Sequence, residues 1–169
     1  MSEIRAQRIA ESIIGGGYGY QIPWDVVRRI DALIAPGDEE YVEAAFNPGD
    51  DAIQGVAVVL TATQVVFAAW SQSNSHFPSQ TEHSKTRVET WSRKRLINAS
   101  IVPLDDGRNK GGNDWGGDWG DQWPRDAAIT LQYKDRAESL VLPLGSLRSA
   151  ASRKRFREIV EGIISDLNR

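Results

Sequence analysis

Two runs of β-branched and aromatic residues, separated by only two positions, constrain this chain more than any other feature. Gly55 to Thr61 reads GVAVVLT, and Gln64 to Trp70 reads QVVFAAW. Such residues fit a pleated surface, and the short Ala62-Thr63 link folds the two runs back on each other as a hairpin. Both runs are almost continuously apolar, so both faces of this hairpin are expected to be covered. A chain with such a hairpin at its centre needs further strands beside it and another layer across it.

The flanking text supplies them. Tyr41-Val42 and Ala44 to Phe46 read as an earlier strand, followed by a turn at Asn47-Pro48-Gly49-Asp50-Asp51. Thr86 to Trp91 alternates, and Leu96 to Leu104 is a further strand. Ala128 to Tyr133 places Ile129, Leu131 and Tyr133 on one face. After a turn at Lys134 to Ala137, Ser139 to Leu144 returns with Leu140, Leu142 and Leu144 on one face.

Helical spacing appears at both ends. Ala6, Ile9, Ala10, Ile13 and Ile14 make one stripe, which Gly15-Gly16-Gly17 ends. GGGYGY is not a phosphate loop, because no strand precedes it and no Lys-Ser/Thr follows it. A second helix starts near Pro23, runs through Val26, Val27, Ile30, Leu33 and Ile34, and stops at Pro36-Gly37. These two helices are expected to pack outside the main domain, as a helical appendage over 1–37 beside a domain over 38–169. The last helix has the clearest stripe: Phe156, Ile159, Val160, Ile163, Ile164 and Leu167. Full burial of such a residue contributes about 1.5–3 kcal/mol, which makes this helix integral to the fold.

Seven strands in hairpin succession followed by one amphipathic helix is the order of the pleckstrin-homology fold. Ile34-Ala35-Pro36-Gly37-Asp38-Glu39 and Val59-Leu60-Thr61-Ala62-Thr63-Gln64-Val65-Val66-Phe67 resemble the entry turn and second hairpin of bacterial pleckstrin-homology-like domains, and the likeness covers about 38–168. It implies an α+β, mostly β protein: a curved antiparallel barrel of about seven strands capped by the C-terminal helix, here with two N-terminal helices. It also implies a binding module. Phosphoinositide-binding members carry a Lys/Arg cluster at the first strand-to-strand loop. This chain has Asp50 and Asp51 there and no base, so the usual lipid site is not expected.

Composition narrows the chemistry. The net charge is -3, so attraction to a polyanion would need a local patch. With no cysteine there is no disulfide, thiolate nucleophile or thiolate metal site. The N-terminal text has no apolar run of signal-peptide length, and no transmembrane run occurs, so a cytosolic protein is expected. His76 and His83 are the only histidines, both in the polar stretch over 71–84, and no nucleophile–base arrangement emerges around them. Asp105-Asp106 reads as a turn former. The expectation is a protein without catalytic residues, metal or cofactor.

Two features remain as binding candidates. In the Gly/Asp/Trp-rich stretch over 105–126, Trp115, Trp119 and Trp123 recur every fourth residue, interleaved with Asp114, Asp118 and Asp121. Such tryptophans suit capture of a protein partner; the alternative is that they fold back onto a sheet face. Basic residues form the other: Lys85, Arg87, Arg93, Lys94 and Arg95 around the fourth strand, and Arg148, Arg153, Lys154, Arg155 and Arg157 at the start of the last helix. They read either as a solvated face or as an anion-facing patch; interleaved acids weigh against nucleic acid. The leading reading is a protein-interaction module using the tryptophan stretch and a sheet edge beside the last helix. The alternatives are peripheral binding to anionic lipid through the basic residues, and a small-molecule binder or enzyme using the barrel end. Oligomeric state stays open.

Overall fold

A computed structural model describes residues 22–34, 39–73, 85–103, 127–145 and 150–168. The expected helix over 6–14, both histidines and the tryptophan stretch lie outside these residues. The chain divides into two compact units, Met1–Ser92 and Arg93–Arg169.

The first unit consists of helix α1 (Trp24–Leu33) and four strands: β1 (Glu39–Pro48), β2 (Ala52–Thr61), β3 (Gln64–Ser73) and β4 (Lys85–Ser92). The strands form an antiparallel sheet in sequence order. The central hairpin is β2–β3, with Leu60 opposite Val65. Thr61 shapes its turn: the Thr63 and Gln64 amides donate to Thr61 Oγ1 at 3.3 and 3.0 Å. The β1–β2 turn closes when the Gly49 amide donates to the Ala52 carbonyl at 2.9 Å.

Cross-strand register sorts the side chains onto two faces. Ala57 and Val59 of β2, with Val66, Ala68 and Trp70 of β3, form one buried face. Against it α1 sets Val26, Val27 and Ile30, all buried almost completely. At about 1.5–3 kcal/mol per fully buried aliphatic side chain, these three make α1 part of this unit's core. Pro23 stands at the N-cap, one position before the helix, and its carbonyl accepts the Val26 and Val27 amides. On the opposite face Tyr41, Val58, Leu60 and Val65 are buried too, so the hairpin is covered on both sides.

The second unit opens with a 3-10 turn (Arg93–Arg95). It continues through β5 (Leu96–Pro103), β6 (Ala127–Tyr133) and β7 (Leu140–Leu142), and ends in helix α2 (Ala150–Leu167). Its sheet is antiparallel in the order β5-β6-β7. The β6–β7 turn places Asp135 in the left-handed region at φ 66, a conformation in which Asp is tolerated because its short side chain bonds locally. Ile129, Leu131, Tyr133, Leu140 and Leu142 are buried in the sheet; Phe156, Ile159, Val160 and Ile163 are buried on α2.

The architecture is therefore α+β, mostly β: two antiparallel sheets with seven strands and a C-terminal helix. It departs from the expected closed barrel. Among the described residues the strands form two separate sheets, and the 3-10 turn at Arg93–Arg95 lies in sequence between β4 and β5, which do not pair. One N-terminal helix is described rather than two. The apolar stripe of α2 is also narrower than its spacing implies, since Ile164 and Leu167 remain 40% and 38% exposed.

Candidate functional site

The basic run around β4 is divided by the fold. Lys85 and Arg87 lie exposed on β4, where Arg87 reaches Glu89 two residues along the strand at 2.7 Å. Strand periodicity puts those two side chains on one face, so their pairing follows from local geometry. Arg93 is buried: its Nε donates to Asp166 Oδ2 at 2.9 Å, tying the 3-10 turn to the last turns of α2. Gly162 lies one helical turn before Asp166, and a Cβ there would sit 3.4 Å from an Arg93 terminal nitrogen. The guanidinium thus lies beside the helix at the level of Gly162. Arg93 holds the second unit together and presents no charge to a ligand.

Lys94 and Arg95 point to solvent. Arg95 pairs with Asp135 at 3.1 Å, both side chains more than half exposed. The Arg95 carbonyl also accepts the Lys134 amide at 2.8 Å, bringing the β6–β7 turn beside the 3-10 turn. Lys94, Arg95, Lys134 and Arg136 therefore gather at one end of the second sheet. Lys134 and Arg136 read as ordinary turn residues in sequence; only the register of β5 with β6 carries them to Arg95. On α2, Lys154 and Arg155 are exposed, Arg157 is partly buried, and Lys154 approaches Glu158 at 4.0 Å. An exposed pair of this kind contributes little. Arg153 lies on α2 with its side chain outside the described ones. Trp115, Trp119 and Trp123 lie outside the described residues altogether.

Among the described residues, β5 carries the most exposed large apolar side chains, Ile97 at 56% and Ile101 at 54%. It forms one edge of its sheet. A bulge between Leu96 and Asn98 turns Ile97 outward, and Ile101 stands opposite Ile129 at that edge. Helix α2 packs against β5 and the 3-10 turn. At 100° per residue, its exposed Ile164 and Leu167 lie on the opposite flank of the buried stripe from Asp166. β5 contains no charged residue.

Tyr133 stands opposite Leu96. Burial pushes its phenol from 10.0 up to about 12; Arg93 pulls the other way, and Asp166 adds to the rise. The folded value exceeds the unfolded one, so the neutral phenol favours the fold. That contribution is complete below the unfolded value and is lost as pH climbs through the folded value. Between about pH 9 and pH 11.5 the wild type should lose about 2 kcal/mol more unfolding free energy than Tyr133→Phe. Urea titrations of both proteins at the two pH values measure this. Equal losses would show that Tyr133 ionises as it does in water.

Among the described residues no group of three or more His, Cys, Asp or Glu side chains is placed to hold a metal ion. No helix among them is long and apolar enough to cross a membrane. No protein-family model, curated protein or solved structure matches the chain.

Proposed function

We propose that this chain is a non-catalytic binding module of the pleckstrin-homology-like class. In this reading, an extended segment of another protein adds to the β5 edge of the second sheet, beside α2. The order of four strands, three strands and a final helix supports the class. The observation that carries the reading is β5 itself. Edge strands are normally blunted by charges, prolines or bulges because their open backbone groups invite another strand. Between the bulge, which exposes Ile97, and Pro103, β5 has no charge and displays Ile101. Strand addition would use the backbone for affinity and alternate side chains for specificity. The sequence connection from β5 to β6 carries Trp115, Trp119 and Trp123, which would extend the contact.

Peptides selected from a random library against the intact chain test this. Ile101→Lys should weaken their binding at least about tenfold while leaving stability within about 0.5 kcal/mol, as expected for an exposed site. Unchanged affinity in Ile101→Lys and Ile97→Lys would remove β5 as the docking edge.

The gathering of Lys94, Arg95, Lys134 and Arg136 supports a second reading, peripheral attachment to anionic lipid. It requires sedimentation with phosphatidylserine vesicles that weakens as salt rises. Absence of sedimentation at low salt would end it.

A further inference from the structure

The sheet of the first unit carries a trough independent of the β5 edge. Cross-strand register aligns Gln54, Ser71 and Lys85 in one row, and Val56, Ala69 and Arg87 in the next row of the same face. The row between belongs to the other face: it contains Gly55 opposite Trp70, and Trp70 is buried in the core with α1. The two central residues on β3, Ser71 and Ala69, are short. The longer side chains of β2 and β4 rise on either side, leaving a depression of about 470 Å³. It is open rather than enclosed, so a ligand would lie on it with one face in solvent.

The walls differ in chemistry. The β4 wall carries the exposed cations Lys85 and Arg87; the β2 wall carries an amide at Gln54 and an apolar patch at Val56. Glu89 lies one row further along β4 and is held by Arg87. Glu43, on β1, accepts a hydrogen bond from the Tyr41 hydroxyl at 2.8 Å. Asp50 and Asp51 stand in the β1–β2 turn. Glu89 therefore takes up Arg87 at the margin of the trough, and the charge the trough offers a ligand is that of Lys85. A flat apolar body resting on Val56 and Ala69 would place an acidic group against Lys85, leaving Gln54 and Ser71 for a polar edge. A charge-assisted hydrogen bond from an ammonium group is a strong one, and a carboxylate suits that donor.

We propose that this trough binds a small organic carboxylate with a flat apolar body. The test uses naphthoate as the probe, titrated calorimetrically into the full chain, with uncharged naphthamide beside it. Naphthoate should bind saturably at one site, at least about tenfold tighter than naphthamide, as expected when a charge-assisted contact is lost. Lys85→Ala, at an exposed position, should weaken naphthoate about tenfold and leave naphthamide unchanged. Ala69→Leu, which fills the floor, should abolish binding of both. Lys85→Ala keeps the test decisive if Ala69→Leu fails to fold. Equal affinity for the two probes, an affinity for naphthoate unmoved by Lys85→Ala, or no binding at all would overturn the proposal. None of these outcomes involves the β5 edge.

Discussion

Arg93→Ala should destabilise the protein by about 3–5 kcal/mol, an effect far larger than an arginine in a basic run would ordinarily produce. The side chain is 5% exposed and its Asp166 partner 11%, with the two joined at 2.9 Å. Truncating the arginine strands a carboxylate in a place water reaches poorly. The helix adds to the penalty. Asp166 sits in the last turns of α2, where the helix dipole is negative, and Arg93 supplies the positive charge that this end favours. Asp166→Ala should cost a similar amount for the converse reason. Replacing both partners, as Arg93→Met with Asp166→Leu, should recover most of the loss, because apolar groups of similar size carry no desolvation penalty. Urea unfolding of the four proteins measures all three effects. A loss under about 1 kcal/mol for Arg93→Ala would show a solvated pair.

This ion pair also marks where sequence reading reaches its limit. The central hairpin is legible because its determinants are local: a run of β-branched residues, a two-residue link and a threonine that bonds its own turn. The stripe of α1 is equally plain in Val26, Val27 and Ile30, but its role is not. The same spacing serves an external helix or a core helix, and only the apolar face of β2 and β3 decides between them. Arg93 has no local signal at all. In sequence it stands among Lys85, Arg87, Lys94 and Arg95, and the partner that removes it from that set lies 73 residues away. The trough was hidden for a related reason. Ser71 and Ala69 look unremarkable until register sets Lys85 and Arg87 beside them, and register is a property of two strands at once.

Trp70→Ala should cost about 3–5 kcal/mol, and Gly55→Val about 1–3 kcal/mol, yet the two losses should not add. Phe46, Gly55 and Trp70 form one cross-strand row on the buried face. The glycine leaves a gap in the middle of that row, and the indole lies across it. A Cβ placed on Gly55 would overlap the Trp70 ring, so any larger residue must drive the ring out of its seat. The seat is well defined, because Phe46 meets Trp70 edge to face at 5.8 Å and 76°. In the Trp70→Ala background the obstruction is gone and a valine at position 55 enters the vacated space. There, Gly55→Val should be neutral or should restore some of the lost packing, giving a coupling energy of about 1–3 kcal/mol. Equilibrium unfolding of the wild type, the two single variants and the double variant closes the cycle. Simple additivity would mean that Gly55 is retained for the backbone freedom of glycine, and that the indole makes no use of the space. Coupling would show that a residue costly to any strand is kept here because its absent side chain is where the buried indole of Trp70 packs.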